Sequence, residues 1–165
     1  MPAELPGFGA PSGIRKKQVE GRIKLGPRGL AGDGVADREH HGRPEQAVYA
    51  LGALDRDYWQ EQLQRELPPG SMGENLVIAD MDTHDVLVGD RFVLPDAVLE
   101  AVWPRIPCTK LAHVMGDKKF GRGFLRSGHL GVYFRVIQPG SLAAGDAAAL
   151  DASAAVDRRI LDVVA

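Results

Sequence analysis

The residues best suited to chemistry lie in Pro104-Arg105-Ile106-Pro107-Cys108-Thr109-Lys110-Leu111, which holds the only cysteine of the 165-residue chain. Pro107 fixes the backbone angle before the thiol and biases Ile106 toward an extended conformation. Lys110, Leu111 and Val114 then begin a helical spacing, so the pattern predicts Cys108 at a strand-to-helix junction. Unpaired N–H groups and the helix dipole at such a junction favour a thiolate, and Arg105 and Lys110 add positive charge. Two readings follow from chemistry alone: a reactive or metal-ligating thiolate beside a cationic pocket, or a small buried hydrophobe. A cysteine nucleophile with His40, His41, His113 or His129 as base stays open.

Other candidate chemistry is weaker. His40-His41 with Asp37, Glu39 and Cys108 could be drawn as a zinc site, but no His-x-x-x-His or Cys-x-x-Cys spacing supports it. Asp80-x-Asp82-x-His84 resembles the start of a calcium loop, yet Asp85 replaces the required glycine and Arg91 the bidentate glutamate. There is no glycine-rich dinucleotide or phosphate loop and no Gly-x-Ser-x-Gly elbow.

The elements that must position these groups read as mainly β. Short apolar or alternating runs at 47–51, 75–79, 86–88, 91–94, 98–103, 130–137 and 147–150 are separated by turn signals such as Gly89-Asp90 and Pro95-Asp96. In the 130–137 run, Val132, Phe134 and Val136 share one face and Tyr133 and Arg135 the other. Residues 53–67 predict a helix with an apolar stripe of Leu54, Tyr58, Leu63 and Leu67, leaving Asp55 outside it; Pro68-Pro69-Gly70 stops it. Residues 119–128 read as a basic loop and 154–164 as a terminal helix. Residues 1–11 read as a loosely held arm. With 20 glycines and 11 prolines, many short strands and few helices, the expected fold is a closed or nearly closed β-barrel with a few peripheral helices.

Composition bounds the setting. The length fits one domain with a sizeable core. A formal charge of -2 argues against nucleic acid or a membrane surface as partner. Six cations between Arg15 and Arg28 against one acid, Glu20, leave room for a local anionic ligand. One cysteine permits no internal disulfide, and no run approaches the roughly 18 apolar residues of a membrane span, so the chain reads as cytoplasmic.

Several stretches together resemble the MOSC domain family, named for the C-terminal domain of molybdenum cofactor sulfurases, in its stand-alone bacterial branch. They are Ser12-Gly13-Ile14-Arg15-Lys16, 29–37, His40-His41-Gly42-Arg43-Pro44-Glu45-Gln46-Ala47-Val48-Tyr49, Gly73-Glu74-Asn75-Leu76, Val88-Gly89-Asp90, 104–111 and 131–136. The resemblance spans 12–150, with 151–165 as a helical tail, and implies a barrel that binds molybdenum cofactor. By position, Cys108 corresponds to the family cysteine that supplies a thiolate to molybdenum. The resemblance makes Lys16 and Arg105 candidates for the cofactor's phosphate and pterin edge. His41, Asp33, Asn75 and Lys110 are expected to line the pocket, with His41 and Lys110 as catalytic candidates. Gly32, Gly42, Gly73 and Gly131 are expected to allow tight turns or close approach to the cofactor.

The resemblance implies reduction of small N-hydroxylated compounds such as hydroxylaminopurines. A Cys-ligated iron–sulfur cluster takes four cysteines, so the electrons are expected from a separate donor protein. A sulfur-carrier or cofactor-handling module with a Cys108 persulfide is the alternative, and a cofactor-free cysteine enzyme a third. Pyridoxal phosphate is not expected. Relatives tend to continue past the barrel into a helical extension, and Gln18 stands where proline is common; these departures bear on substrate choice and partner docking more than on cofactor binding.

Overall fold

A computed structural model describes residues 3–6, 8, 11–34 and 43–164. Its centre is β5 (Val48–Gly52), every residue of which is buried. An apolar run with both faces covered is what a central strand requires. β5 pairs in parallel with β6 (Leu76–Ile78) and antiparallel with β9 (Val132–Gln138). β8 (Ala97–Pro104) follows β9, then β7 (Arg91–Leu94) and β11 (Ala149–Asp151), giving a six-stranded sheet in the order β11-β7-β8-β9-β5-β6. A smaller sheet joins β3 (Ile23–Gly26) to β4 (Gly29–Leu30) and β10 (Gly140–Leu142), and β1 (Ala3–Glu4) pairs with β2 (Pro11–Ser12).

The sheet alternation predicted for β9 holds. Val132 and Phe134 enter a core with Val48, Ala50, Leu99 and Ala101, to which the small sheet adds Leu25 and Leu142. Phe92 meets Phe134 edge to face, with centroids 5.1 Å apart. On the other face, Tyr133 lies opposite Tyr49 in register, and Arg135 opposite Glu100.

The expected closed or nearly closed barrel is corrected to an open half-barrel. Among the described residues the six-stranded sheet ends at β11 and β6, which do not pair with each other. Helices take the place of closure. A second core covers the other face of β5 with Leu51, Trp59 of α1 (Ala53–Leu63), Leu111 and Met115 of α2 (Thr109–Met115), and Phe120 and Phe124 of α3 (Phe120–Ser127). Leu5 and Ile14 complete it from the N-terminal side.

Four further readings are corrected. The basic loop expected at 119–128 is largely α3: Phe120 and Phe124, one turn apart, are buried together, while Gly121, Gly123 and the arginines mask that spacing in the sequence. The apolar stripe of α1 is also different, because Leu54 is 52% exposed whereas Asp55 is fully buried. The Asp55 carboxylate accepts hydrogen bonds from the Gly52 N–H and from Thr83, so its polar atoms are satisfied inside. Finally, 154–164 forms only a 3-10 turn, Ile160–Val163, with Ile160 buried in the first core, and 86–88 contributes a single bridge, Leu87 to Arg159. No helix among the described residues is long and apolar enough to cross a membrane.

Candidate active site

The segment after β8 folds as the prolines dictate. β8 ends at Pro104, and Cys108 is the N-cap of α2, with extended angles of φ -109 and ψ 167. Its carbonyl accepts the Leu111 and Ala112 N–H groups, which fixes the thiol at the first turn of the helix. Cys108 is half-buried and lines a cleft that opens to solvent. The thiol is therefore reachable rather than sealed in a core.

Arg105 stands beside it. The residue is only 6% exposed, and its guanidinium carbon lies 4.6 Å from the centroid of the Tyr49 ring. Such stacking suits a cation that must lie out of water. Burial pulls the Arg105 pKa down, but neighbouring Tyr133, Tyr49 and Cys108 outweigh it, and the net effect holds the guanidinium more firmly charged than usual. Among the described residues its Nε has no hydrogen-bond partner. An orphan donor on a buried cation costs about 1–3 kcal/mol and would be satisfied by an anion in the cleft.

Tyr49 donates its hydroxyl to the Leu130 carbonyl at 2.9 Å. Burial raises its pKa far above that of a free phenol, against the opposing charge of Arg105. Gly131 lets this wall close up: its φ is +69, and a Cβ there would fall 2.6 Å from the Ala50 carbonyl oxygen and 2.7 Å from the Tyr49 ring.

The opposite wall is a polar network. Lys16 Nζ is paired with the Asp33 carboxylate. Asn75 Nδ2 donates to Asp33 Oδ2 at 2.7 Å, while Asn75 Oδ1 accepts the Tyr49 N–H at 3.0 Å. The Asn75 N–H in turn donates to the Tyr49 carbonyl at 2.7 Å. Asn75 thus ties the cleft wall to β5. Beneath it, buried Glu74 accepts the Gly70 and Met72 N–H groups at 2.6 and 3.0 Å. Burial raises the Glu74 pKa despite those hydrogen bonds and the charge of Arg105, which act to lower it.

Of the residues singled out in the sequence, Lys16, Asp33, Asn75, Arg105, Cys108 and Lys110 all line this one cleft. Lys16 is there as the partner of Asp33, so among the described residues Arg105 and Lys110 are the cleft-lining cations outside that ion pair. Gly32 turns the chain at φ +84 but does not line the cleft, where Asp33 and Gly34 do. His41, Gly42 and the proposed zinc-loop residues Asp37, Glu39 and His40 lie outside the described residues. Sequence reasoning missed Tyr49 and Gln46 and read Tyr133 as packing. The alternation of β9 had already put Tyr133 off the core face; what one strand cannot reveal is that its partner in register is Tyr49.

Comparison with known proteins gives the family and the fold. Residues 37–149 match the family described as the MOSC domain. The Bacillus subtilis protein YflK is 36% identical over 142 residues, which are 86% of this chain and 64% of that one. The Escherichia coli protein YiiM is 32% identical, over 82% of this chain and 62% of its own length. A Gibberella moniliformis protein named Reductase is 33% identical over 84% of this chain but only 25% of its own length. The chain therefore spans less than two thirds of the length of these relatives. The crystal structure of YiiM from Geobacillus stearothermophilus superposes with a TM-score of 0.80 over 99% of this chain and 76% of that one, at 24% identity, a likeness of fold.

Proposed function

The chain belongs to the MOSC domain family, one associated with molybdenum cofactor, and on that premise we propose that it is a reductase of small N-hydroxylated compounds. The observation that carries this reading is the meeting of the single thiol, Cys108, with the buried, incompletely hydrogen-bonded Arg105 in one open cleft. A soft anionic sulfur is a suitable ligand for molybdenum, and a cation held out of water suits an anionic pterin phosphate. The donor set therefore fits the cofactor. Cys108 would hold the metal, Arg105 and Lys110 would offset the negative charge, and Asp33, oriented by Lys16 and Asn75, would present its carboxylate to the pterin edge. When bound, the cofactor supplies a metal centre able to exchange one oxygen atom for two electrons.

The reaction breaks the N–O bond of R–NHOH and yields R–NH2 and water, consuming two electrons and two protons. Lys110 lines the cleft and is the proposed proton donor to the departing oxygen. Tyr49 and Tyr133, with centroids 5.3 Å apart, give that wall an aromatic surface that favours planar substrates. One cysteine cannot ligate an iron–sulfur cluster, so the electrons are delivered to the cleft from outside these 165 residues. The Gibberella relative that bears the name Reductase supports the reaction class.

Protein purified from molybdenum-replete cells and supplied with a reduced donor should convert 6-hydroxylaminopurine to adenine, one amine for every two electrons consumed. Absence of amine with any competent donor would overturn the assignment.

A further inference from the structure

Asp55, Asp82, His84 and His129 come from α1, from the turn after β6, and from the segment between α3 and β9. None of them lines the cleft that holds Cys108. Each contributes a donor atom to a group in which all four atoms lie within 4.8 Å of one another. His129 Nδ1 is 2.9 Å from Asp55 Oδ1, and His84 Nδ1 is 2.8 Å from Asp82 Oδ1. The two rings meet edge to face with centroids 4.6 Å apart. We propose that these four side chains form a binding site for a divalent late transition-metal ion of the zinc class, separate from the molybdenum site.

Charge is the first argument. Two carboxylates face two imidazoles, and among the described residues neither Asp55 nor Asp82 pairs with a lysine or arginine. With neutral imidazoles the group carries two negative charges, which a divalent cation balances. Fully buried Asp55 is the costly member: it is hydrogen-bonded, but among the described residues its charge lies out of water with no lysine or arginine beside it.

Preorganisation is the second argument. Asp55 Oδ2 is held by the Thr83 hydroxyl at 2.7 Å and the Gly52 N–H at 3.3 Å, which leaves Oδ1 facing His129. Thr83 Oγ1 is itself fixed by the Gly131 N–H at 2.8 Å. Asp82 Oδ1 accepts the His84 N–H at 2.9 Å, and His129 stacks on Tyr58 at 4.0 Å. Metal ligands held in place by a further set of hydrogen bonds are characteristic of protein metal sites. Side-chain exposure rises from Asp55 at 0% through His129 at 19% and Asp82 at 27% to His84 at 40%, which gives an entry path from solvent.

The donor set names the metal class. Two nitrogens and two carboxylate oxygens make four-coordinate zinc, or cobalt in its place, the natural occupant; calcium and magnesium prefer oxygen ligands throughout. Asp82 and His84 are the residues that made 80–84 resemble a calcium loop. The fold gives them different partners and a different chemistry.

The test uses the full chain carrying Cys108→Ser, so that no thiolate competes, dialysed against a chelator and titrated with Zn2+ by calorimetry and with Co2+ by visible absorption. One equivalent should bind, and Co2+ should give the intense bands of a four-coordinate site. His84→Ala and Asp82→Asn, both in solvent-accessible positions, should each weaken binding by at least about 100-fold, more than the 10–100-fold typical of losing an outer partner. Near-ultraviolet circular dichroism of the metal-free variants should match that of their parent, which separates lost binding from lost folding. Substoichiometric binding to the parent, or one equivalent retained at parental affinity by both variants, would overturn the proposal. Because the ligands lie outside the cleft and the parent lacks the thiol, the result is independent of the reductase reading.

Discussion

Replacing Cys108 by Ser should abolish reduction of N-hydroxylated substrate while leaving the fold intact. Loss of an outer-shell partner at a metal site costs roughly 10–100-fold, so loss of the ligand atom itself should lower kcat/KM and cofactor retention by more than about 100-fold. Serine keeps the shape of the side chain but offers a hard, protonated oxygen in place of a soft thiolate. Stability should barely move. Cys108 is half-buried, and its N-cap carbonyl bonds to Leu111 and Ala112 are made by the backbone, which the substitution preserves. A change within about 0.5 kcal/mol corresponds to no more than about 2 °C in Tm for a chain of this size. Unaltered turnover in the variant would remove Cys108 from the chemistry.

The second large effect is on stability. Trp59 is 5% exposed and sits between α1 and α3, with ring centroids 4.9 Å from Phe120 and 5.4 Å from Phe124. Its indole N–H donates to the His129 carbonyl at 2.8 Å. Trp59→Ala would open a cavity between the two helices and orphan that carbonyl. Substitutions of this kind cost about 3–5 kcal/mol, or roughly 6–20 °C in Tm at 2–4 °C per kcal/mol. Leu54→Ala, on the same helix but 52% exposed, should change stability by less than about 0.5 kcal/mol. Thermal unfolding of the two variants side by side checks the assignment of the helix face, and comparable losses would reject it.

The contrast between Trp59 and Leu54 also shows where sequence reading reached its limit. Hydrophobic spacing locates the start of α1 but carries it to residue 67, whereas the helix ends at Leu63 with Gln64 in the left-handed region; a fully buried Asp55 looks polar in any pattern, and its contact with Thr83, 28 residues away, helps hold it inside. α3 was hidden for a related reason, since Gly121 and Gly123 weaken helix propensity and only the aromatic pocket around Trp59 makes burying Phe120 and Phe124 worthwhile. By contrast, the Pro104 to Leu111 stretch was legible because prolines and a helical spacing act locally. Lys16, Asp33 and Asn75 could be named from their motifs, yet their linkage into one network depends on the β5–β6 pairing. Barrel closure failed as an expectation because strand counting does not say whether the end strands of a sheet, here β11 and β6, pair with each other. The four-residue group around His129 depends on contacts across 74 positions of sequence, and only its Asp82 and His84 leave a local trace.

The central claim is that Cys108, in a cleft walled by buried Arg105, holds molybdenum. The direct measurement is the metal content of full-length protein purified from molybdenum-replete cells, with intact-mass analysis of the same sample. The account predicts one molybdenum per chain, lost in Cys108→Ser. Wild-type protein that carries no molybdenum, or that carries a persulfide on Cys108 in its place, would contradict it.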